Sequence, residues 1–151
     1  RSSLWFLLNI LTGTGANLTC VDSFQGNPEN QLEGYERDVE DIFVENMRLA
    51  GVSDRVHLKR QTSNVALKFL HTANFDFIYV DGSHNPKDVL TDLVLSWLLL
   101  KTGGIMIMDD YHFCDPRVGS EPKPAIDAFY NIFKKDIIVL HTDWQVIWRK
   151  I

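Results

Sequence analysis

Hydrophobic positions along this chain follow two spacings, one typical of amphipathic helices and one typical of buried strands. The helical spacing predicts five helices, over Leu4–Leu11, Glu36–Ala50, Ala66–Leu70, Pro86–Leu100 and Ala125–Lys134. Short apolar runs predict six strands, over Asn17–Val21, Arg55–Arg60, Phe75–Val80, Ile105–Met108, Ile137–Leu140 and Gln145–Trp148. Helices and strands alternate along most of the chain, and this order predicts a parallel sheet with helices on both faces.

The last two predicted strands break that alternation. Only His141–Trp144 separates them, and a parallel crossover needs about a dozen residues, so the pair is predicted to be an antiparallel hairpin. Gly103-Gly104 is expected to end the long helix. Trp144 and Trp148 are expected in the core, with packing against a partner subunit as the alternative. The predicted fold class is therefore α/β, a doubly wound, mostly parallel sheet with a C-terminal antiparallel hairpin, in a single domain over residues 1–151.

The composition of the chain argues against nucleic acid and membranes as binding partners. Fifteen basic and twenty acidic residues give a formal charge of −5, which argues against general affinity for nucleic acid or an anionic membrane. The apolar runs are too short to span a bilayer. The two cysteines form no disulfide framework, and Cys20 lies inside an apolar run. We therefore expect a cytoplasmic protein with no nucleic-acid partner and no membrane association.

Polar residues follow four of the predicted strands where each strand ends. In open α/β sheets, ligands bind beyond the carboxyl ends of the parallel strands, so these residues are expected on one rim of the sheet. The four groups are Asp22-Ser23, Gln61-Thr62-Ser63, Asp81-Gly82-Ser83-His84 and Asp109-Asp110-Tyr111-His112.

Asp22 has the chemistry to bind the two ribose hydroxyls of a nucleoside. A carboxylate accepts two hydrogen bonds from a diol, and an acidic residue after a strand is a typical ribose ligand. The alternative is that Asp22 only caps a loop, which is ordinary turn chemistry.

Three further carboxylates, those of Asp81, Asp109 and Asp110, are candidates for a cation site. Hard oxygen ligands at adjacent strand ends suit Mg²⁺ or Ca²⁺, and unpaired carboxylates placed together repel one another. The alternative is that Asp81 caps the following helix and Asp109 holds backbone amides.

His84 is the first candidate for a catalytic base. It lies in a short Gly-Ser-His-Asn loop with no hydrophobic reason to hold a histidine, and a neutral imidazole can accept a proton from a hydroxyl nucleophile. A hydrogen bond that orders the loop is the alternative role. His112, after the acidic pair, is a second candidate.

Two blocks of the sequence are together similar to a known family. Phe75–His84 and Leu100–Asp110 resemble the class I S-adenosylmethionine-dependent methyltransferases, most closely the small-molecule O-methyltransferase branch. Asn46, Gly51 and Asp54-Arg55-Val56 also resemble the pattern that precedes this branch's third strand.

The resemblance implies a Rossmann-like sheet of seven strands and S-adenosylmethionine as cofactor. It implies that Asp22, beside Ser23, binds the ribose and that Asp81 faces the methionine end of the cofactor or a metal. The residues implied near the adenine are Phe24, Gln61, Thr62 and Ser63.

The resemblance also bears on the catalytic residues. In metal-dependent members, a cation such as Mg²⁺ lies on carboxylates that match Asp81, Asp109 and Asp110. His84 stands where catechol-type members carry a lysine base. The sequence departs from the family at this position, and the candidate catalytic residues are His84, from its own loop chemistry, and Asp81.

The family's first strand and its glycine-rich turn have no counterpart in this sequence. In the family that strand is central, next to the strands that end here at Asp22 and Asp81. A sheet without its middle strand would leave buried edges unpaired, so we expect a longer native chain and a domain that is incomplete at its N-terminus.

The predicted function is methyl transfer from S-adenosylmethionine to a small hydroxylated acceptor, with or without a divalent cation. One alternative is a catalytically silent nucleoside-binding or scaffold domain. Another is a dinucleotide-dependent oxidoreductase, which Asp22 would serve equally well but which the terminal hairpin argues against. The sequence is also compatible with assembly into a homo-oligomer.

Overall fold

The structure, a computed structural model, describes residues 8–9, 13–26 and 39–151. Its strands are β1 (Leu18–Val21), β2 (Val56–Lys59), β3 (Phe75–Val80), β4 (Leu100–Met108), β5 (Ile137–Thr142) and β6 (Val146–Lys150). Its helices are α1 (Val39–Leu49), α2 (Ser63–Ala66), α3 (Pro86–Leu99) and α4 (Lys123–Phe133), with short 3-10 turns at Ser53–Arg55, Leu67–Phe69 and Lys134–Asp136. The predicted helix over Leu4–Leu11 lies outside the described residues, apart from residues 8 and 9, which are helical.

The strands form two sheets where one was predicted. β1 and β2 pair in parallel, and a separate four-stranded sheet has the order β3-β4-β6-β5. β3 and β4 are parallel, whereas β6 is antiparallel to both of its neighbours. Within the described residues no strand joins β1 to β3, and this break falls where the resemblance places the family's first strand.

The antiparallel hairpin is confirmed, and its placement in the sheet is new information. β5 and β6 pair as predicted, but it is β6, the later strand, that lies against β4. β5 is therefore at the edge of the sheet, and the turn between the two strands reaches the carboxyl end of β4, where the Tyr111 N–H donates to the Trp144 carbonyl at 2.9 Å.

Helix α3 connects the two parallel strands and begins as its sequence predicts. The Asn85 side chain accepts from the Lys87 N–H at 3.0 Å, and Pro86 occupies the first turn, where its missing N–H is not needed. Its last turn is closed by Lys150, whose Nζ donates to the carbonyls of Trp97 and Leu100 at 2.6 and 2.9 Å.

The prediction that Gly103-Gly104 ends this helix is wrong. Helix α3 ends at Leu99 and the chain passes directly into β4, which includes both glycines. Gly103 has a φ of +82°, and the register with β3 is irregular between Phe75 and Phe77. Gly103 therefore suits this irregular stretch of strand, because only glycine adopts a positive φ at low cost.

The predicted helix after Ser63 is shorter than expected. Helix α2 has only four residues, and Leu67–Phe69 continues as a 3-10 turn in which Phe69 is 80% exposed. Its apolar residues are too few to keep a longer helix packed on the core.

The main hydrophobic core lies between the four-stranded sheet and helices α3 and α4. Phe129 packs between Trp97 and Trp148, with ring centroids 5.5 and 5.7 Å away. Trp148 is buried as predicted, but the prediction for Trp144 is wrong, because it lies in the hairpin turn and is 57% exposed. No helix among the described residues is long and apolar enough to cross a membrane.

Candidate active site

The ends of β3 and β4 form one continuous rim, as the sequence predicted for these two strands. The Asp109 N–H donates to the Val80 carbonyl at 3.0 Å, so the loop after β3 and the loop after β4 start side by side. This pairing brings Asp81 and His84 of the first loop close to Asp109 and Asp110 of the second. The strand ends at Asp22 and Gln61 belong to the separate two-stranded sheet.

His84 and Asp110 interact directly. The Nε2 atom of His84 lies 3.1 Å from Oδ2 of Asp110, and the imidazole packs against Phe113 with ring centroids 4.4 Å apart. The His84 side chain is only 15% exposed. Asp110 has a φ of +56°, an unfavourable value for a residue other than glycine, and such strain is common at functional sites. The imidazole is thus held in a defined orientation.

Asp109 is fixed by a different set of contacts. Its Oδ1 accepts from the Asp110 N–H at 2.9 Å, and its Oδ2 accepts a short hydrogen bond from the Tyr79 hydroxyl. Gln145 Nε2 donates in turn to the Tyr79 oxygen at 3.0 Å. Burial, together with Asp109, raises the pKa of Tyr79 well above its usual value, so Tyr79 remains protonated and acts as a donor.

Asp81 stands at the open side of this group. Loss of solvent around its carboxyl group and repulsion from Asp109 and Asp110 raise the pKa of Asp81 to about 6. Asp81 as a whole residue is exposed to solvent. Repulsion by the two neighbouring carboxylates is therefore the better supported cause of its raised pKa. Asp81 therefore lies close enough to Asp109 and Asp110 for their charges to act on its carboxyl group.

These residues line a shallow depression of about 250 Å³ that is open to solvent. Its polar wall is the predicted rim, whereas Pro122 and Ile126 on the loop and helix after β4 add apolar surface. Together with Phe113, Tyr79 and Gln145, these are functional candidates that the sequence analysis missed. A tyrosine inside the apolar run of β3 was the available signal, since a buried hydroxyl needs a hydrogen-bond partner.

At the end of β1, Asp22 has the loop-capping role that was its alternative prediction. Its Oδ1 accepts from the Phe24 N–H at 2.7 Å, and Phe24 has a φ of +57°. The Ser23 hydroxyl accepts from the Gln25 N–H at 3.4 Å, and the Phe24 ring lies 6.0 Å from that of Phe43 in α1. A carboxylate has more acceptor positions than this one bond uses, so the turn and a ribose contact are compatible.

The predicted adenine-side residues after β2 divide into two groups. Gln61 and Thr62 are exposed, and the Thr62 hydroxyl donates to Asn64 Oδ1 at 2.7 Å. Ser63 instead hydrogen-bonds to the carboxyl group of Asp92 in α3. The structure thus leaves Gln61 and Thr62 open to a ligand, while Ser63 links α2 to α3.

The predicted cation site is not assembled in the described part of the chain. No set of three or more His, Cys, Asp or Glu side chains there is arranged to hold a metal ion. The contacts explain this, because Asp109 turns toward Tyr79 and Asp110 toward His84. The three carboxylates lie near one another without converging on a common point, so they do not fit a bound cation as they stand.

Comparison with protein families identifies the class. The model of the family described as a methyltransferase domain matches residues 1–111, most of the chain. The protein therefore belongs to the methyltransferase-domain family, which confirms the resemblance to class I S-adenosylmethionine-dependent methyltransferases.

Solved structures agree on the fold. The O-methyltransferase NovP is 21% identical, with a TM-score of 0.70 over 95% of this chain and 64% of its own. A protein from Corynebacterium glutamicum is 21% identical, with a TM-score of 0.65 over 95% of this chain and 65% of its own. The O-methyltransferase TomG from Streptomyces achromogenes, solved in complex with S-adenosylmethionine, is 16% identical, with a TM-score of 0.59 over 89% of this chain and 61% of its own.

These likenesses establish a Rossmann-like methyltransferase fold. The chain spans less than two thirds of the length of the three structures. A search of curated proteins found no match.

Proposed function

We propose that the protein transfers the methyl group of S-adenosylmethionine to a hydroxyl oxygen of a small acceptor molecule. The observation that carries this proposal is the oriented His84–Asp110 pair at the joined ends of β3 and β4, within a methyltransferase domain. NovP and TomG, both described as O-methyltransferases and the latter solved with the same cofactor, support the choice of cofactor and of oxygen as the acceptor atom.

Asp22 would hold the cofactor at its ribose. One oxygen of this exposed carboxylate is used by the turn, and the remaining acceptor positions suit the ribose diol. Gln61 and Thr62 are exposed at the end of the neighbouring strand, where they and Phe24 would flank the adenine. Asp81 would accept from the amino group at the methionine end of the cofactor. The donor set therefore fits the group.

His84 would act as the base. If its Nε2–H donates to Asp110, the lone pair is on Nδ1, and this nitrogen accepts the proton of the acceptor hydroxyl. When bound, the cofactor supplies a sulfonium methyl group, which bonds to the acceptor oxygen as the carbon–sulfur bond breaks and its electron pair stays on sulfur. Asp110 stabilises the imidazolium that results, and the apolar surface of Pro122 and Ile126 helps to exclude water.

Calorimetry with S-adenosylhomocysteine tests the cofactor assignment. We expect it to bind, NAD not to bind, and Asp22→Asn to weaken binding by at least about tenfold, which is about 1.4 kcal/mol. Asparagine preserves the acceptor for the Phe24 N–H, so the turn is kept while the charge and one oxygen are lost. Asp76→Asn is the matched control, because Asp76 is 83% exposed and pairs with Lys101 at the opposite end of β3.

The outcomes separate the three classes of function. Binding of S-adenosylhomocysteine together with methyl transfer to a hydroxylated compound supports the proposal. Binding without transfer to any acceptor favours a silent nucleoside-binding domain. Binding of NAD alone indicates a dinucleotide-dependent protein and overturns the assignment.

A further inference from the structure

Tyr79 lies beside the three carboxylates of the rim, and its hydroxyl is held from two sides. It donates to Oδ2 of Asp109 and accepts from Nε2 of Gln145 at 3.0 Å. Gln145 lies just before β6, 66 positions further along the chain, so this contact is made only by the folded hairpin. The hydroxyl is therefore anchored by the protein and is not free to rotate away from Asp109.

This arrangement uses the oxygens that a cation would need. Asp109 gives Oδ1 to the Asp110 N–H and Oδ2 to Tyr79, and Asp110 gives Oδ2 to His84 at 3.1 Å. Mg²⁺ requires close oxygen ligands in nearly ideal octahedral geometry, usually one or two carboxylates with water molecules. A cation on Asp109 would have to compete with the Tyr79 hydroxyl for Oδ2.

We propose that Tyr79, held by Gln145, takes the place of a divalent cation on Asp109, and that cofactor binding and methyl transfer at this rim proceed without a divalent metal. The part of this inference that concerns transfer rests on the proposed function, whereas the part that concerns cation binding does not. Tyr79 is a positioning residue here, since it acts on the rim only through Asp109.

The chemistry of the hydroxyl suits this role. A phenol O–H is a strong donor to a carboxylate, and hydrogen bonds to a charged acceptor are about twice as strong as neutral ones. The bond stabilises the charge of Asp109 without adding a positive charge. His84 faces the neighbouring carboxylate of Asp110, with Nε2 3.1 Å from Oδ2.

Titration with Mn²⁺, followed by the electron paramagnetic resonance signal of the free ion, tests this inference. We expect no saturable binding to the native chain at roughly millimolar concentration, and binding at least about tenfold tighter in Tyr79→Phe, in which the Asp109 oxygen is released. Tyr130→Phe is the matched control, because Tyr130 is a half-buried tyrosine that packs against Trp148 and is remote from the carboxylates. Thermal unfolding of each variant checks that it is folded.

The native chain also provides a test that needs no tyrosine variant. Tight Mn²⁺ binding to it, abolished by Asp109→Asn, would overturn the inference. If neither the native chain nor folded Tyr79→Phe binds Mn²⁺, Tyr79 is not what keeps the cation out, and the inference fails as well.

Binding of S-adenosylhomocysteine is measured in the same samples, with EDTA and with Mg²⁺. Equal affinity in both supports a metal-free rim, and a gain with Mg²⁺ contradicts it. Absence of binding in both would instead defeat the proposed function, while the Mn²⁺ result would still stand.

Discussion

At the scale of single residues, Asp92 is unusual because its carboxylate is buried in α3. It is 6% exposed, and among the described residues its Oδ1 is a buried side-chain oxygen without a hydrogen-bond partner. Burial raises its pKa above 3.8, Ser63 opposes this by a hydrogen bond, and Asp88 adds a smaller repulsion. An unsatisfied buried polar atom costs about 1–3 kcal/mol. The buried carboxylate of Asp92 therefore lowers the free energy of unfolding.

We predict that Asp92→Asn stabilises the protein by about 1 kcal/mol at pH 7, because a neutral amide costs less to bury than a carboxylate. A raised pKa in the folded state means that the folded protein binds more protons, so stability falls as pH rises from 3.8 through the folded-state value. The gain from the substitution should disappear below that window. Urea unfolding at several pH values, with Asp143→Asn as an exposed control, measures it. A loss of stability at pH 7 would show that the carboxylate has a partner.

For His84, we predict that His84→Asn lowers the rate of methyl transfer by about 10²–10⁴-fold, the usual contribution of a general base. Asparagine can still hydrogen-bond to Asp110, so binding of S-adenosylhomocysteine should change little. The readouts are transfer to a hydroxylated acceptor and calorimetry. His141→Asn is the control, since His141 is exposed on β5. An unchanged rate would leave His84 with the loop-ordering role.

At the scale of elements, the junction of α3 and β4 depends on one side chain from a distant strand. Lys150 in β6 donates to two carbonyls at the end of α3, and its Nζ lies 5.1 Å from the centre of the Trp97 ring. Burial lowers the pKa of this lysine, and Asp136 opposes the shift. The contact replaces a glycine cap, which this helix lacks because it passes directly into a strand.

We predict that Lys150→Met destabilises the protein by about 1–3 kcal/mol, because two buried carbonyl groups lose their donor while the apolar stem is retained. Lys135→Met, at an exposed position before β5, should change the free energy of unfolding by no more than about 0.5 kcal/mol. Urea unfolding of the two variants makes the comparison. Equal effects would mean that the cap contributes nothing measurable.

The type of nearly every element was predictable from sequence because apolar spacing reflects burial. The failures occurred where spacing carries no such information. The sequence Gly103-Gly104 is typical of the end of a helix, and no neighbouring residue indicates that both glycines belong to an irregular strand. At the site, Asp81, His84, Asp109 and Asp110 could be selected because they follow strands, but Gln145 could not, since it meets Tyr79 only through the order of strands in the sheet.

At the scale of the whole molecule, the core is asymmetric. The large buried cluster belongs to the four-stranded sheet with α3 and α4, whereas the two-stranded sheet has a small cluster around Met47 and Val52. The hydrogen bond between Ser63 and Asp92 lies where α2 meets α3 and so joins the two parts. Within the described part of the chain, most of the hydrophobic stabilisation therefore comes from residues of the C-terminal half.

We predict that truncation of the two tryptophans of the hairpin destabilises the protein to very different extents. Trp148→Ala should cost about 3–5 kcal/mol, because it leaves a cavity beside Phe129, whereas Trp144→Ala should cost about 0.5 kcal/mol or less. Acrylamide quenching of fluorescence in single-tryptophan variants checks the same difference in exposure. Similar costs would contradict the placement of the core.

The position of β6 between β4 and β5 has a consequence for biosynthesis. A ribosome makes β4 and β5 first, and neither can pair with β6, the strand that lies between them in the folded sheet, until Val146–Lys150 has emerged. Until then one edge of β4 is unpaired. Lys150 is not yet in place over the ring of Trp97, and Gln145 is not yet hydrogen-bonded to Tyr79. The sheet, the cap of α3 and the contacts of the rim are thus completed together, when β6 emerges after β4 and β5. Before β6 emerges, the nascent chain exposes an unpaired strand edge of the kind that chaperones protect.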